Sequence, residues 1–534
     1  MGLLSILIFL PLLAALLILA LPTSSKGAYK YIALGFTALQ FVLAGYLYTN
    51  FQTEMGGINQ LEGYQFVEQL SWIRMDLGTM GKLEIDYLLG VDGVAMPLLV
   101  LSTLVMLMGV GASWNIQKST KGYFALLMIL NTAVMGIFCA LDFFLFYVFY
   151  EVMLLPLYFL IGIWGGERRE YAAIKFFIYT LFGSVFMLLV IVGLYFSVIN
   201  PATGAHTFNM LHMMNPQNYV PGSFFDWASN IHEIYGIPAR LIGFIVLFIA
   251  FAIKVPIVPL HTWLPDAHVE APTPVSIILA GILLKIGGYG IIRVCYSIFP
   301  DIAAQTNWWL GLIGVVSILY GALNALAQKD LKRMIAYSSV SHMGFVILGV
   351  ASLTAEGISG AMFQMVSHGF LSAALFFLVG VLYDRVHDRY IDNFRGLATV
   401  MPKYTAFVAI AFFASLGLPG FSAFIGEAFV IIGTFNAESM ATGIPRWMAI
   451  AGSVGILLSA AYFLWTLQRM FFGQTWLRGG EAWATALTDV SIRERLILFP
   501  TLALALVLGI IPSLVFNQLN ASVLQLLETI KPYL

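Results

Sequence analysis

Residues 244–259 read FIVLFIAFAIKVPIVP: ten apolar residues lead to Lys254, and prolines follow at 256 and 259. Proline removes one backbone donor and clashes with the carbonyl four residues earlier, so a helix opens at that point. In lipid, the freed backbone groups need partners from protein or water. The stretch therefore predicts a membrane helix that is broken near its middle, beside a charged side chain and a hydrated cavity.

Three more ionisable residues lie inside apolar runs. Residues 141–164, LDFFLFYVFYEVMLLPLYFLIGIW, contain Glu151, and residues 277–293, IILAGILLKIGGYGIIR, contain Lys285. Glu427 lies in a later apolar run. A charge at the bilayer centre costs about 2.5–3.5 kcal/mol on insertion scales, so it is seldom kept without a role. Two carboxylates and two lysines in such positions indicate a proton path through a membrane.

The composition excludes a soluble domain and a nucleic-acid surface. Of 534 residues, 60% are hydrophobic and only 10% are charged, whereas soluble domains carry about 25% charged residues. The formal net charge is −1. Cys139 and Cys295 are isolated in apolar runs and predict small buried residues, with no disulfide framework or metal cluster. The first apolar run has no basic residue before it, so we expect a retained helix.

Apolar runs of about 17–25 residues can each cross a bilayer. The sequence predicts an all-α polytopic membrane protein with about 14 transmembrane helices, and the run at 403–437 is long and interrupted. The predicted spans lie near residues 2–21, 30–50, 86–112, 121–140, 142–164, 172–198, 239–260, 272–295, 307–327, 333–352, 359–383, 403–437, 447–470 and 496–519.

Positive charge follows the odd-numbered spans. The connections after these spans contain Lys26 and Lys30, Lys118 and Lys121, Arg168 and Arg169, Lys329, Lys332 and Arg333, Arg385, Arg389, Arg395 and Lys403, and Arg478, Arg493 and Arg495. The positive-inside rule places these connections in the cytoplasm and both termini outside. The connection after span 7, HTWLPDAHVEAPTP, is an acidic, histidine-rich exception, which suggests a functional mouth.

The chain also repeats itself weakly. Residues 172–195 align without gaps on 360–383, and residues 251–259 align on 414–422, which superposes a proline in each copy. The two copies start from opposite sides of the predicted membrane, so the repeats are inverted. Helix interruptions at corresponding places in two halves are the best sequence indication of a transport site.

Several polar residues share one depth in the predicted membrane. At about 1.5 Å per residue, Glu151 lies roughly 14 Å from Asp142 at the outer end of its helix. Other residues converge on the same central layer: Lys254, Lys285, His342 and His368. An unperturbed histidine pKa near 6.5 suits the two histidines to proton relay, although a packing role stays open for each.

Weaker candidates surround this layer. His261 and His268 flank Asp266 and Glu270, but a proline between them and the lack of a matching ligand cluster disfavour a metal site. His261 is kept as a candidate relay. Some hydroxyl and amide side chains could hold bridging waters or only cross-link helices, and the sequence leaves that choice open: Tyr179, Ser184, Ser338, Ser339 and Gln364.

Four segments resemble the antiporter-like subunits of respiratory complex I. They are LYFLIGIWGG from residue 157, KVPIVPLHTWLPDAHVEAPTPVSIILAGILLKIGGYGIIR from 254, QKDLKRMIAYSSVSHMGFVILG from 328 and LPGFSAFIGE from 418. The resemblance covers about residues 85–475. LYDRVHDR from residue 382 is more similar to the M type of this family than to the L or N types. The first two helices and residues 48–82 match only loosely.

The resemblance implies a fourteen-helix fold with two inverted five-helix repeats, each containing a broken helix. The expected units are N-terminal helices 1–3 (residues 1–115), a first repeat of helices 4–8 (116–303), a second repeat of helices 9–13 (304–475), and helix 14 with the tail (476–534).

The resemblance also implies roles for the buried residues. A pair of Glu151 with Lys254 would hold the lysine protonated, and Lys285, His342 and His368 would carry protons toward Glu427, the M-type glutamate. The expected role is a proton-translocating subunit of a bacterial inner-membrane NADH-quinone oxidoreductase.

No cofactor is expected in this chain, because it has no dinucleotide fingerprint and no cysteine cluster. The expected partner subunits hold FMN, iron–sulfur clusters, NADH and quinone. Other expected partners are the L and N types, small membrane chains and the lipid bilayer, and no nucleic acid. Two alternatives stay open: a subunit of a multi-chain cation/proton antiporter, or of an energy-converting membrane hydrogenase. Four intramembrane charges argue against a purely structural scaffold.

Overall fold

The computed structural model describes residues 2–76, 78, 82–227, 232–440 and 442–534, without the side chains of Lys26 and Lys82. Its helices in the first half of the chain are α1 (Leu3–Ala20), α2 (Lys26–Thr49), α3 (Ala95–Ala112), α4 (Thr120–Cys139), α5 (Phe143–Val152), α6 (Leu154–Trp164), α7 (Arg169–Ser197), α8 (Met210–Met213), α9 (Ala239–Lys254), α10 (Trp263–Glu270), α11 (Thr273–Ile278) and α12 (Leu284–Gly290). Two π-helical segments, Leu279–Leu283 and Ile291–Tyr296, flank α12.

The second half is helical in the same way. Its helices are α13 (Pro300–Leu326), α14 (Leu331–Ala351), α15 (Ala355–Val386), α16 (Leu397–Val400), α17 (Pro402–Ser415), α18 (Ser422–Ala437), α19 (Arg446–Phe471), α20 (Gly480–Ala486), α21 (Ile492–Ile510) and α22 (Ser513–Ile530). Short 3₁₀ turns lie at Leu61–Gly63, Ser113–Asn115, Pro216–Asn218, Ile391–Asn393, Glu438–Met440 and Lys531–Tyr533.

A β-hairpin corrects the all-α prediction. Strand β1 (Gln65–Asp76) pairs antiparallel with β2 (Lys82–Val91). The residues LEIDY from residue 83 alternate apolar and polar side chains, which is the period of a strand with one buried face. Much shorter pairs join β3 (Glu233–Ile234) to β4 (Ile237–Pro238) and β5 (Phe394–Arg395) to β6 (Trp476–Leu477). The chain is therefore mostly helical rather than purely so.

The described part of the chain contains eleven helices that are long and apolar enough to cross a membrane, and a bent pair would bring the number to twelve. They span Leu3–Ala20, Gly27–Thr49, Ala95–Asn115, Thr120–Cys139, Phe143–Trp164, Arg169–Ser197, Thr273–Tyr296, Pro300–Leu326, Leu331–Ala351, Ala355–Val386 and Arg446–Phe471. The protein is thus a polytopic membrane protein.

Two predicted spans need corrected bounds. The span predicted at 86–112 begins too early, because β2 continues to Val91 and α3 starts only at Ala95. The span predicted at 496–519 contains a break: α21 ends at Ile510, where Pro512 follows, and α22 leaves at 64°. Apolar composition alone did not reveal the strand or the bend.

Both predicted helix interruptions are present. Helix α9 ends at Lys254, and after eight intervening residues α10 begins at Trp263. The histidine-rich connection predicted after span 7 therefore includes a helix of its own, most of which is buried. Helices α17 and α18 are separated by residues 416–421, where Gly417 and Gly420 have φ angles of +80° and +97°. These left-handed conformations favour glycine.

A bundle of buried helices positions most of the charged residues. Helix α15 packs against α14 and α18. It is buried throughout its most apolar stretch, as is the span Thr273–Tyr296. Near one end of the bundle, the buried guanidinium of Arg293 bonds Asp92 and Tyr64 and thereby ties the hairpin to the core. These helices contain Lys285, His342, His368 and Glu427.

Candidate functional site: a chain of buried ionisable residues

Lys285 and His368 are in direct contact. The Lys285 ammonium lies 2.7 Å from Nδ1 of His368 and also donates a 2.7 Å hydrogen bond to the carbonyl oxygen of Ala280. Ala280 belongs to the π-helical segment just before α12, and such segments interrupt regular helix hydrogen bonding and are frequent at functional sites. Lys285 is fully buried, so its head group has partners from the protein rather than from bulk water.

His342 and Glu427 form a second contact. Nδ1 of His342 lies 3.1 Å from Oε1 of Glu427, and both side chains are buried. Gln364 joins them: its amide nitrogen lies 3.4 Å from the same carboxylate oxygen and 3.5 Å from Nδ1 of His342. The three residues come from α18, α14 and α15, so three helices meet at this point.

The two contacts are joined through the histidines. The ring centroids of His342 and His368 lie 5.5 Å apart. A small cavity beside both rings has space for about one water molecule. Its lining contains Ser338, Gln364, Ser372 and Ser415 together with apolar residues. We call Lys285, His368, His342 and Glu427 the polar chain, because each member lies beside the next.

Gly417 at the second helix break leaves room for Glu427. A Cβ atom at Gly417 would lie 2.7 Å from Oε2 of Glu427, closer than real Cβ contacts come. The same carboxylate oxygen has no hydrogen-bond partner among the described residues, and neither has the Ser415 hydroxyl. The break therefore places an unpaired carboxylate oxygen and an unpaired hydroxyl near the end of the polar chain.

Glu151 and Lys254 are not in contact in this structure. The Lys254 ammonium is fully buried and lies 4.4 Å from the centroid of the Tyr150 ring, whereas Glu151 is only half-buried. Within the described residues, neither Nζ of Lys254 nor Oε1 of Glu151 has a hydrogen-bond partner. The two side chains are near enough to interact electrostatically, but the ion pair implied by the resemblance is open.

His261 lies apart from the polar chain. Its ring packs against Tyr320 and Tyr337, with centroid separations of 5.1 and 6.1 Å. Its Nδ1 has no hydrogen-bond partner in the described part of the chain. The described residues contain no group of three or more His, Cys, Asp or Glu that could hold a metal ion. Tyr179, which the sequence left between two roles, bonds Thr262 at 2.8 Å and so ties α7 to the first break.

Sequence reasoning missed two buried residues, His268 and Lys332. From the sequence, His268 was considered only with His261 as a disfavoured metal site. Lys332 was counted among the basic residues of the cytoplasmic connections. In the structure, His268 is fully buried and Lys332 is 5% exposed. The spacing gave no signal for Lys332, because at about 3.6 residues per turn the ten positions from Lys332 to His342 do not return to the same face of α14.

Comparison with known proteins identifies the family. Residues 140–459 match the family model described as NADH:quinone oxidoreductase/Mrp antiporter, TM. The chain therefore belongs to this family of antiporter-like membrane subunits. It is 39% identical to NADH-quinone oxidoreductase subunit M of Rhodobacter capsulatus, across 99% of this chain and 96% of that protein. Subunit M of Rickettsia conorii is 37% identical across 98% of both chains. These full-length relatives place the chain with the M subunits of NADH-quinone oxidoreductase.

Solved structures show the same fold. A chain of respiratory complex I from Thermus thermophilus with bound NADH superposes with a TM-score of 0.80 at 26% identity, covering 99% of each chain. A chain of the Mrp complex from Dietzia superposes with a TM-score of 0.78 at 19% identity, covering 100% of this chain and 99% of that one. At that identity the second match shows the fold alone.

Proposed function

We propose that this chain translocates protons across the bacterial inner membrane as a subunit of NADH-quinone oxidoreductase. This proposal rests mainly on two contacts, of Lys285 with His368 and of His342 with Glu427. All four side chains are buried in membrane helices. Ionisable side chains at such depth are costly unless they serve a pathway. NADH oxidation and quinone reduction, with their FMN and iron–sulfur cofactors, belong to partner subunits. Those partners include the L and N types and the small membrane chains.

The proposed architecture has fourteen crossings and two inverted repeats. The eleven long helices supply eleven crossings, the interrupted pairs α9–α10 and α17–α18 supply one each, and α21 supplies the last. The corresponding positions of the two breaks support the inverted relation of residues 116–303 and 304–475. With the Lys- and Arg-rich connections inside, both termini lie outside. A labelling reporter at Lys118 should be cytoplasmic and one at Asn215 external, and the opposite labelling would overturn this topology.

The proposed switch is the Glu151–Lys254 pair. When the carboxylate approaches, it stabilises the charged lysine, and when it withdraws, burial favours release of the proton. Two charges 4 Å apart at an effective dielectric constant of 20 attract by about 4 kcal/mol. Moving one charge against 100 mV requires about 2.3 kcal/mol. Closing and opening one such pair is therefore an adequate coupling step.

The polar chain then carries the proton. In the proposed sequence, Lys254 releases its proton toward Lys285, the two histidines transfer it, and Glu427 delivers it to the outer half of the membrane. Each histidine can accept a proton on one ring nitrogen and release another from the second. The small cavity beside the histidines supplies room for a bridging water.

Replacing Glu427 by glutamine tests this function. Glutamine keeps the volume but cannot accept a proton, so we expect pumping in inverted vesicles to fall at least about tenfold, as for loss of an acid–base group. Glu438→Gln, at an exposed helix end, is the matched control. Electron transfer from NADH to an artificial acceptor reports assembly. Normal pumping by the Glu427 variant would reject the polar chain.

The antiporter and hydrogenase alternatives predict other partners. The fold similarity to the Mrp complex is compatible with the first. The subunit M relatives favour the NADH-quinone oxidoreductase instead, because they match nearly the whole chain at 37–39% identity. Purification of the intact complex decides the matter: NADH-binding and iron–sulfur subunits should copurify, whereas copurified hydrogenase or antiporter subunits alone would contradict the proposal.

A further inference from the structure

His268 is a buried histidine with no assigned partner. It lies on α10, is fully buried, and stacks on Phe376 of α15 with ring centroids 4.3 Å apart and planes 10° from parallel. Neither of its ring nitrogens has a hydrogen-bond partner among the described residues. A buried polar group without a partner costs free energy, and buried polar groups in native proteins are nearly always bonded to protein or water. Both nitrogens of His268 therefore require an explanation.

Several ionisable side chains lie near His268. It lies within electrostatic range of Lys332 and Lys285, and His368 is also within range. The Lys332 ammonium donates a 2.6 Å hydrogen bond to the carbonyl oxygen of Ala271, just past the end of α10. His268 thus lies three residues before the carbonyl that Lys332 bonds, and its ring stacks on Phe376, which is eight residues after His368 on α15.

Lys332 also faces a large cavity. The cavity measures about 620 Å³ and lies at the ends of α3, α6, α10 and α15 and the starts of α14 and α21. These are the ends that the charge pattern places in the cytoplasm. Its ionisable lining residues are Glu167, Glu270, Lys332, Asp384, His387, Asp388, Arg389, Arg493 and Glu494. Acidic groups around an aqueous opening attract protons from solution.

We propose that His268 is a proton-relay residue that connects this cavity, past Lys332, to Lys285 and His368. A proton from the cavity binds one ring nitrogen of His268, and the proton on the other nitrogen leaves toward Lys285, so the ring returns to its neutral form after it reorients. Water molecules bridge the ring to both sides. This inference rests on the proposed proton-translocating function, and it supplies that function with the route by which protons from the cytoplasmic cavity reach the polar chain.

A packing role for the ring makes a different prediction. If His268 only fills space against Phe376, phenylalanine should replace it without loss, since a phenyl ring stacks equally well. If it relays protons, His268→Phe should lower pumping at least about tenfold, because the ring no longer exchanges protons. His212→Phe is the matched control: His212 is a half-buried histidine on α8 whose Nδ1 also lacks a described partner.

The experiment uses the intact complex in inverted vesicles, with the cytoplasmic face outward. Pumping is measured beside electron transfer to an artificial acceptor, which reports assembly. A second variant, His268→Ala, leaves a space where the ring was. We expect added imidazole to fill that space and restore pumping to at least about a third of the level of the unsubstituted complex. Rescue of this kind cannot come from a residue that only packs.

The outcomes separate the relay from the underlying function. Loss in His268→Phe together with imidazole rescue of His268→Ala supports the relay. Normal pumping by His268→Phe, or an assembled His268→Ala complex that imidazole does not rescue, overturns it. Should His268 variants pump normally while Glu427→Gln does not, only the relay fails. Should both pump normally, the proposed function itself fails.

Discussion

The two charged regions inside the membrane differ in how their side chains are connected. In the polar chain, Lys285 touches His368, and His342 touches Glu427. In the region of the first helix break, Lys254 faces the Tyr150 ring, and no hydrogen bond or ion pair among the described residues joins it to Glu151. A buried charge without a partner is strongly destabilising, whereas contact with an aromatic face offsets only about 2 kcal/mol. We infer that the first region switches and the second conducts.

The largest effect is expected from breaking the switch. Glu151→Gln keeps the side-chain volume but removes the charge that can approach Lys254, so pumping should fall at least about tenfold in assembled complexes. Glu170→Gln, on the exposed first turn of α7, should have no effect. Proton uptake by vesicles, normalised to electron transfer, measures both. Equal pumping by the two variants would remove Glu151 from the switch.

A smaller effect should follow from crowding the conducting region. Gly417→Ala places a methyl group against the Glu427 carboxylate and forces a left-handed conformation on alanine, which costs about 1–2 kcal/mol. Gly420→Ala has the same backbone cost, but its Cβ meets no atom within 4 Å. Thermal unfolding should therefore shift similarly in both variants, while pumping should fall several-fold, about two- to tenfold, only in Gly417→Ala. Equal pumping would show that the close contact has no influence on Glu427.

The smallest effect concerns the residue that joins His342 to Glu427. Gln364→Leu removes two long hydrogen bonds of 3.4 and 3.5 Å. Because both bonds are long, their loss should cost about 0.5 kcal/mol, the lower end for a hydrogen bond, which corresponds to a roughly twofold lower pumping rate. Gln328→Leu is the control, because the side-chain amide of Gln328 bonds only the carbonyl of Asn324, near the end of α13. A Gln364 variant that pumps like this control would limit Gln364 to packing.

The sequence predicted the burial of Lys254, Lys285 and Glu427, because a lysine or glutamate in an apolar run is conspicuous by itself, whereas Glu151 is only half-buried. The sequence could not predict which of the buried residues meet. Lys285 and His368 are 83 residues apart, and equal depth says nothing about which sides of two helices face each other. The sequence also could not predict that Glu151 and Lys254 are apart. A family resemblance implies which residues pair, but not whether the ion pair is formed in a given structure.

Other errors have local causes. The hairpin β1–β2 was missed because its strands adjoin apolar residues that extend the span predicted at 86–112. His268 was undervalued because HTWLPDAHVEAPTP resembles a loop, whereas the structure folds its centre into α10 and buries it against α15. Prolines and acidic residues are typical of exposed loops, but here a neighbouring helix covers the segment that contains them. The interrupted helices were predicted correctly, since Pro256 and Pro419 act through backbone sterics that do not depend on tertiary context.

Substitution of Lys254 by arginine tests the central claim most directly. A proton carrier must alternate between charged and neutral forms, and a guanidinium with a pKa above about 12 does not deprotonate in proteins. Pumping is measured in inverted vesicles for Lys254→Arg and Lys254→Met, with electron transfer to an artificial acceptor as the assembly control. The account predicts that both variants fail to pump. Near-normal pumping by the arginine variant, with failure only of the methionine variant, would show that Lys254 is a fixed counter-ion and would contradict the account.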